Sequence, residues 1–374
     1  MKVKQLLSCF LLAASLFSCI QDEALNVEAA IDACTGPDVQ LASINPMNRT
    51  VDIYISRSTD LSKLELNFTL PEGATIQADE PLAQDAPPKY DFSSQAKRSF
   101  TVTAEDKEYT AVYEIAPIIS ELPTVYHFDE LKNAAQTKYH TLMEFQYPSS
   151  GSDFRVMEWC SGNPGFDMTG EAKVAADYPT VQAPDGISRQ CVKLETKSTG
   201  SFGAMVKMYI AAGNLFIGSF ELESLAEAAK NTHFGYPFYQ IPKELKGYYK
   251  YKRGAQFQVG KDIVTDRQDY CDIYGVMYES DDQVDFLDGT NSLTSPNIVL
   301  LARAEPSSYA ETDEWTEFTL PFVAQNGKTI DEAKLKAGKY KLSIVFSSSV
   351  EGAIFNGAIG STLYIDEVKL VCEP

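Results

Sequence analysis

The sequence predicts an all-β fold built from two sandwiches, and three observations lead to this expectation. Tyrosine and phenylalanine occur 20 times each, and both favour strands. Short runs of alternating apolar residues recur along most of the chain, as in half-buried strands. Helical candidates are few, and the best is residues 222–231, with apolar residues at i, i+3, i+4 and i+7. The 374 residues, 44% of them hydrophobic, suffice for two domains with separate cores.

The N-terminal 18 residues have the parts of a signal peptide. Two lysines precede an apolar run over residues 6–17. This run is too short for a membrane span, which needs about 20 residues. It ends in Leu16-Phe17-Ser18-Cys19, which resembles a bacterial lipoprotein box whose cysteine is lipidated. We therefore expect a lipoprotein signal peptide over residues 1–18 and a lipidated tether over residues 19–24, anchored through Cys19.

The residues directly after Cys19 indicate where the anchored protein lies. Gln21, Asp22 and Glu23 belong to an acidic stretch that resembles the export signal of surface-exposed outer-membrane lipoproteins in some Gram-negative bacteria. The expected location is therefore the outer membrane, with the protein held there by its lipid and exposed at the cell surface.

Charge and cysteine spacing exclude several classes of partner. A formal net charge of −20 repels phosphate backbones and anionic lipid headgroups, so nucleic acid is not an expected partner. Five cysteines remain besides Cys9 of the signal peptide and Cys19, and their spacing lacks the CxxC pattern of zinc sites. They are Cys34, Cys160, Cys191, Cys271 and Cys372. An oxidising compartment permits disulfides among them, and buried free thiols are the alternative.

Residues 25–116 predict a small β-sandwich. Turn clusters such as Pro71-Glu72-Gly73 separate short strands of alternating apolar residues. These apolar positions are Val51, Ile53 and Ile55; Leu64, Leu66 and Phe68; Phe100 and Val102; and Tyr109, Ala111, Tyr113 and Ile115. The stretch from Asp91 to Tyr109 resembles the immunoglobulin-like modules that open many surface lipoproteins. This resemblance implies an immunoglobulin-like spacer domain.

Two prolines, Pro117 and Pro123, place a linker over residues 117–123, because proline lacks an N–H donor and restricts the residue before it. From residue 124 to residue 374, recurring strand patterns predict a larger β-sandwich. The predicted strands are Cys191–Thr196, Gly203–Ile210, Phe216–Glu221, Tyr248–Lys252, Ile273–Tyr278, Ile298–Ala302, Glu317–Pro321, Tyr340–Ser347 and Leu363–Leu370.

The sequence contains none of the usual catalytic signatures. It has no HExxH, no GxSxG and no phosphate-binding P-loop. The three histidines, His127, His140 and His233, lack metal-ligand spacing. We therefore expect no hydrolytic triad and no cofactor.

Aromatic residues concentrate between residues 234 and 251. They are Phe234, Tyr236, Phe238, Tyr239, Tyr248, Tyr249 and Tyr251. Packing in a sheet core is one explanation, but a tyrosine hydroxyl needs a partner and often lies at a surface or pocket wall. Sugar rings stack on such side chains, and a mostly apolar pocket with a few polar groups is the general form of a ligand site. Carbohydrate binding is therefore the alternative to packing.

Several longer motifs resemble those of the putative carbohydrate metabolism domain family. In chain order they are Trp159-Cys160-Ser161-Gly162-Asn163, AAGNLFIG at 211–218, GYPF at 235–238, GYYKY at 247–251, VFSSS at 345–349 and GSTLYIDEV at 360–368. The resemblance implies a jelly-roll domain behind the immunoglobulin-like domain. It also implies a shape similar to carbohydrate-active enzymes, with a pocket where those enzymes bind sugar, but it does not imply catalysis.

The candidate carbohydrate-binding residues come from these motifs and from strand alternation. In the strand around Ile273, odd-numbered residues form the core face, which leaves Asp272 and Tyr274 on the ligand side. A carboxylate there can accept two sugar hydroxyls, and a solvated edge charge is the alternative. The candidates are Trp159, Asn163, Tyr236, Tyr249, Tyr251, Asp272 and Tyr274.

Two points stay open at this level. Tyr249 and Tyr251 lie on one face of a strand, and Tyr248 lies on the other with Lys250 and Lys252, so either set can line the pocket. Asp366 resembles the acidic residue that holds a structural calcium ion in many sugar-binding jelly rolls.

The sequence favours a glycan-binding lipoprotein that takes part in the capture or use of polysaccharide, with a polysaccharide or oligosaccharide as its ligand. One alternative is a glycoside hydrolase or lyase, which requires Glu195 or Glu279 to lie close to Asp272. A second alternative is an assembly lipoprotein that binds a protein partner through its sandwich faces.

Overall fold

A computed structural model describes residues 25–55, 59–80, 87–93, 97–132, 138–146, 155–222, 224 and 227–373. The predicted signal peptide and tether, including Cys19, lie outside these residues. The chain divides into two compact units. The first takes in the described residues up to Pro117, apart from 38–41 and 54–60, and the second takes in those two stretches and the residues from Ile118 onward.

The N-terminal part is a set of short strands. They are β1 (Ala33–Thr35), β2 (Val39–Asn45), β3 (Thr50–Ile55), β4 (Leu64–Glu65), β5 (Asn67–Thr69), β6 (Thr75–Ala78), β7 (Lys89–Tyr90), β8 (Arg98–Thr103) and β9 (Thr110–Ile119). The main sheet has the order β2-β3-β9-β8-β6, and β1-β5 and β4-β7 form two small pairs. The predicted alternation holds, because Val51, Ile53 and Ile55 are fully buried and the residues between them are not.

Strand β9 continues into the segment that was predicted as a linker. Its pairing with β8 ends at Ile115 opposite Arg98. Pro117 therefore lies two residues beyond the last residue of β9 that pairs with β8. No N–H group is needed there to bond to β8, so a proline is tolerated.

The larger unit contains the remaining strands. They are β10 (Val125–Tyr126), β11 (Glu130–Leu131), β12 (Leu142–Gln146), β13 (Arg155–Glu158), β14 (Thr180–Ala183), β15 (Cys191–Glu195), β16 (Lys197–Ser198), β17 (Ile210–Ala211), β18 (Asn214–Phe216), β19 (Gly218–Phe220), β20 (Thr232–Phe234), β21 (Tyr236–Pro237), β22 (Pro242–Lys252), β23 (Phe257–Val259), β24 (Asp262–Val264), β25 (Asp272–Glu279), β26 (Ile298–Arg303), β27 (Thr312–Pro321), β28 (Val323–Ala324), β29 (Tyr340–Ser347), β30 (Gly357–Ala358) and β31 (Thr362–Cys372). Among the described residues of this unit, three short α-helices accompany them: α1 (Asn163–Asp167), α2 (Gly200–Met205) and α3 (Glu332–Lys336).

Two antiparallel sheets form the sandwich. The front sheet has the order β14-β15-β31-β22-β27, with β10 also paired to β31. The back sheet has the order β18-β29-β25-β26-β28, with β21 also paired to β29. One hydrophobic core joins their inner faces, from Leu363 and Ile365 of the front sheet to Ile344 and Phe346 of the back sheet. The predicted all-β sandwich fold is thereby confirmed.

The back sheet is covered on both faces. Ile273 and Met277 of β25, and Cys271 just before it, pack in the core between the sheets. The alternate residues Tyr274, Val276 and Tyr278 belong to a second cluster with Phe216 and Phe234 on the outer face. The face assignment that was predicted for this strand is therefore correct, and the outer face carries its own covering layer.

The predicted strand Gly203–Ile210 is wrong. Its first residues belong to helix α2, which covers Gly200–Met205. The cause is local. Gly200 adopts a positive φ of 61°, and a side chain at Gly203 would lie 1.9 Å from the Thr199 hydroxyl. That hydroxyl also donates a hydrogen bond to the Met208 carbonyl and closes the turn. In the predicted helix over residues 222–231, part of the segment lies outside the described residues and Ala228–Asn231 forms a 3-10 turn.

Of the described cysteines, none forms a disulfide. Cys34, Cys191 and Cys271 are buried, whereas Cys160 and Cys372 are partly buried. Burial raises the pKa of Cys34 and of Cys191 to about 12, so these thiols stay protonated at neutral pH and behave as small apolar groups.

A glutamate lies inside the larger unit. The Glu144 carboxylate accepts hydrogen bonds from the backbone N–H groups of His127 and Phe128 at 3.0 and 2.9 Å. It also accepts one from the Trp159 indole at 3.2 Å. Burial nevertheless raises the pKa of Glu144 to about 7, because desolvation outweighs these three hydrogen bonds.

This glutamate should make folding stability depend on pH. Glu144 titrates near pH 4.3 when unfolded and near pH 7 when folded, so the folded state holds more protons between these values. Its contribution to the free energy of unfolding should therefore fall by about 3 kcal/mol as the pH rises through this window. Urea denaturation at pH 5 and pH 8 measures the change.

A Glu144→Gln variant isolates this effect. His140 acts in the opposite direction in the same window, because burial lowers its pKa. Because both proteins carry His140, the free energy of unfolding of the wild type minus that of Glu144→Gln should fall by about 3 kcal/mol from pH 5 to pH 8. A difference that is constant across this range would contradict the prediction.

Candidate functional site

A cavity of about 260 Å³ lies in the larger unit, on the outer face of the back sheet. Its floor includes Asp272 and Tyr274 of β25 and Val345 and Ser347 of β29. These four residues are neighbours across the two strands, with Asp272 opposite Ser347 and Tyr274 opposite Val345. Two of the seven predicted site residues thus line one cavity.

Apolar side chains form most of the walls. They come from α1, from α2 and the residues after it, from the β18–β20 region, from the β25–β26 connection and from the segment after β29: Phe166, Phe202, Val206, Met208, Phe216, Phe220, Phe234, Leu293, Val350 and Phe355. Polar groups are fewer and include Asn214, Asn231 and Ser292. This apolar lining with a few polar groups is the general form of a small-ligand pocket.

Asn163 fixes one wall of the cavity. Its side-chain amide donates to the Thr180 carbonyl at 2.8 Å and accepts from the Thr180 N–H at 3.1 Å. Pro164 at the first turn of α1 favours helix start there, and α1 carries Phe166 to the cavity. Asn163 is fully buried, so in this structure it positions the wall, and its predicted contact with sugar remains a prediction.

Asp272 is held by an arginine. Arg303 donates two hydrogen bonds to its carboxylate, from Nε at 2.9 Å and from Nη2 at 2.8 Å. The carboxyl-bearing residue is only 4% exposed. Burial raises the pKa of Asp272, and the hydrogen bonds from Arg303 oppose that rise. This paired geometry fixes the orientation of the carboxylate and engages both of its oxygens.

Tyr274 is also engaged. Its hydroxyl lies 3.0 Å from the Ser292 hydroxyl, and burial raises the pKa of Tyr274 above its usual value. A neutral tyrosine that already has a partner offers a ligand its ring edge and one remaining hydrogen-bonding position.

The structure does not bring the other aromatic candidates to the cavity. Trp159, Tyr249 and Tyr251 lie in the core between the sheets and are 2%, 5% and 1% exposed. Tyr236 is partly buried, and its hydroxyl donates to the Gly218 carbonyl at 2.7 Å. These positions favour the packing alternative, because a buried ring has no free face for a sugar. Their role in glycan binding remains a prediction.

Strand alternation answers which side of β22 faces inward. Leu245, Tyr249 and Tyr251 belong to the core. Tyr248, Lys250 and Lys252 therefore lie on the outer face of the front sheet. The outward set is far from the cavity, which lies on the other sheet.

The described residues contain no group of three or more His, Cys, Asp or Glu side chains arranged to hold a metal ion. The Asp366 carboxylate accepts hydrogen bonds from the backbone N–H groups of Ile187 at 2.5 Å and Glu367 at 2.8 Å. Burial raises the pKa of Asp366 to about 6. A donor thus faces each oxygen, and the calcium hypothesis remains a prediction.

The fold and the cavity define an all-β protein. A small strand-rich part precedes a larger sandwich, and the sandwich carries a cavity of the size of a small ligand. Residues 127–371 match the family described as putative carbohydrate metabolism domain, and the chain belongs to that family. Residues 32–116 match the family described as SGBP, N-terminal. No curated protein matches the chain.

The chain is similar to several solved structures, among them two from Bacteroides species. A crystal structure described as a putative glycoside hydrolase from Bacteroides thetaiotaomicron VPI-5482 has 46% identity and a TM-score of 0.71, covering 95% of this chain and 99% of that one. A second, described as a putative glycoside hydrolase from Bacteroides vulgatus ATCC 8482, has 42% identity and a TM-score of 0.62, covering 68% of this chain and 100% of that one. Within the described part of this chain, no helix is both long and apolar enough to cross a membrane.

The packing of Trp159 can be tested by truncation. Replacing Trp159 with alanine should lower the free energy of unfolding by about 3 to 5 kcal/mol, because the ring fills the core and its N–H satisfies Glu144. Tyr274→Phe, the control at the cavity, should lower it by about 1 kcal/mol through loss of one hydrogen bond. Urea denaturation measures both. A Trp159→Ala protein of native stability that has lost glycan binding would instead identify a stacking platform.

Proposed function

We propose that the protein binds glycans and that the cavity on the back sheet accommodates a sugar. Membership of a carbohydrate-related family and the SGBP match of the N-terminal part both support this proposal. The observation that carries the choice of binding over hydrolysis is the state of Asp272. It is the one carboxylate among the described residues that line the cavity, and it is paired with Arg303.

Glycoside hydrolysis is the second candidate, because both similar crystal structures are described as glycoside hydrolases. Such enzymes generally use two carboxyl groups about 5 to 10 Å apart. Glu279 is seven residues after Asp272 on the same strand, about 23 Å away at the rise of a strand and on the opposite face. Glu195 lies on the front sheet and pairs with Lys193 at 2.6 Å. Neither supports a catalytic pair with Asp272.

The same proposal includes the location. A lipid on Cys19 would hold the protein at the outer membrane, and the acidic residues after it would direct the protein to the cell surface. The SGBP match supports surface exposure, since that name denotes surface glycan-binding proteins. At the surface, glycan binding would serve the capture of polysaccharide.

Binding and hydrolysis are separated by one set of incubations. A panel of plant and host polysaccharides is incubated with the wild type, with Asp272→Asn and with Asp282→Asn, which alters an exposed aspartate outside the cavity. At least one polysaccharide should be retained in affinity electrophoresis, and no reducing ends should be released by any protein. Retention should weaken about tenfold in Asp272→Asn, because Arg303 loses its partner and the floor of the cavity changes.

Two outcomes would contradict this proposal. Retention of no polysaccharide would argue against glycan binding. Reducing ends that the wild type and Asp282→Asn release, and that Asp272→Asn does not, would identify an enzyme with Asp272 in its chemistry.

The anchor is tested by fractionation. Cys19→Ala should release the protein from membranes, because buried acyl chains contribute about 0.8 kcal/mol per CH₂ to membrane binding. Radiolabelled palmitate should be incorporated into the wild type and into Cys9→Ala, whose substitution lies within the signal peptide, but not into Cys19→Ala. A Cys19→Ala protein that retains label and pellets with the outer membrane would refute the lipoprotein hypothesis.

A further inference from the structure

The outer face of the front sheet carries a row of aromatic and basic side chains that crosses four strands. Lys193 of β15 is opposite Tyr364 of β31, and Tyr364 is opposite Lys250 of β22. Trp315 of β27 completes the row, since the Lys250 ammonium lies 4.6 Å from the centre of its ring. Neighbouring strands are about 4.8 Å apart, so the row extends for about 14 Å. We call these four residues the front row.

All four side chains point away from the core. Val192 and Leu194 flank Lys193, and Leu363 and Ile365 flank Tyr364, and these four neighbours are buried between the sheets. Alternation therefore places the front row on the outer face, where each member is partly exposed. The cavity lies on the outer face of the other sheet, so the front row is a separate surface.

A loop supports Trp315 and forms one side of the front row. The loop joins β14 to β15 over residues 184–190, and the carbonyl of its Asp185 accepts a hydrogen bond from the Trp315 indole at 3.3 Å. Asp366 holds the loop on the sheet through the backbone N–H of Ile187. Gly186 permits this approach, since a side chain there would lie 2.8 Å from the Asp366 carboxylate. Trp315 is therefore oriented before any ligand arrives.

The local charge differs from that of the whole protein. The formal net charge is −20, yet among the described residues no ion pair is formed by Lys250 or by Lys252, which is also on the outer face. Lys193 shares Glu195 with Lys197. Charges beyond about 8 Å are largely screened at physiological ionic strength, so the charges close to the row, and not the net charge of the chain, govern what binds here. Of the acidic groups near the row, Glu195 is engaged in ion pairs and Asp366 with the loop, whereas Asp313 and Glu317, two residues from Trp315 on β27, are exposed.

We propose that the front row binds a polysaccharide that contains uronic acid, with a sugar ring on Trp315 and a carboxylate at Lys250. This inference rests on the proposed glycan binding and names a second site and its ligand class. A uronic acid carries its carboxylate directly on the pyranose ring. A sugar ring that stacks on Trp315 therefore places that group close to an ammonium that already lies over the same aromatic ring, 4.6 Å from its centre.

The test compares a charged polysaccharide with its neutral form. Full-length protein is titrated with polygalacturonate, with fully methyl-esterified polygalacturonate and with dextran sulfate in a calorimeter. Wild type should bind polygalacturonate at least about tenfold more tightly than the methyl ester, and the affinity should fall as NaCl rises from 50 to 500 mM. Dextran sulfate, an anion without a carboxylate, should bind more weakly than polygalacturonate.

Two variants and one control locate the binding. Lys250→Met keeps the apolar stem and removes the charge, and Trp315→Ala removes the ring. Each should weaken polygalacturonate binding by at least about fivefold, as expected for loss of a charge contact or of ring stacking. Lys369→Met removes an exposed lysine from the same sheet, about 13 Å or more along the strands from Lys250, and should bind as the wild type does. Melting temperatures confirm that each variant is folded.

Each other outcome overturns the inference. Equal affinity for polygalacturonate and its methyl ester would remove the charge requirement, and stronger binding to dextran sulfate would show general anion exchange. Unchanged polygalacturonate binding in both Lys250→Met and Trp315→Ala would place the ligand elsewhere. If the wild type binds only neutral glycans, this inference fails while the proposed function stands. If it binds no glycan, both fail.

Discussion

Burial of aromatic side chains between the two sheets is the constraint on which the larger unit depends. Trp159 packs against Tyr126, Phe128 and Phe346 with ring centres 5.2 to 5.9 Å apart, and Tyr249 and Tyr251 extend the same core. Because strand side chains alternate, each inward ring places its neighbours on an outer face. The inner faces of the two sheets are then filled, so a ligand that contacts the sheets does so on an outer face. The back face is roofed into a cavity and the front face is open.

Carboxylates in the interior connect segments of the chain. Asp269 accepts hydrogen bonds from the Ser349 and Ser361 hydroxyls and from the Ala358 N–H. Glu144 joins the segment at His127 to Trp159, and Asp366 joins the β14–β15 loop to β31. Desolvation raises the pKa of each, to about 7 for Glu144 and about 6 for Asp366. Elevated carboxyl pKa values often mark catalytic acids. Here each group accepts hydrogen bonds from backbone, hydroxyl or indole donors of the fold, and none of the three lines the cavity, which fits a structural role.

Alternation alone was enough to predict much of this arrangement. Tyr340–Ser347 was predicted to the residue, and the parity of β25 correctly separated Asp272 and Tyr274 from the core. Parity cannot say which face of a strand meets the second sheet when both faces are aromatic, as in Tyr248–Lys252. The long-range packing of β22 between β31 and β27 decides this. The helix at Gly200–Met205 was missed because its turn depends on a contact between Thr199 and Met208 that has no apolar period.

Trp315 shows why the rest of the surface could not be predicted. It lies within an acidic stretch, Glu311–Glu317, where strand patterns are weak, and its lysine partner is 65 positions away in the sequence. Only the pairing of β22 with β27 places Lys250 beside it. The sequence offered one indirect signal. Of the two tryptophans in the chain, Trp159 lies in an apolar motif and Trp315 does not, so Trp315 is the one that can remain at the surface. A ring of that size left partly exposed between a fixed loop and an ammonium loses little conformational entropy when a ligand stacks on it.

The cavity and the front row differ physically in what they offer a ligand. The cavity offers burial with its carboxylate already neutralised by Arg303, and so favours the apolar faces of a sugar. The front row offers exposed charge and one oriented ring, and so favours a long chain that remains largely in solvent.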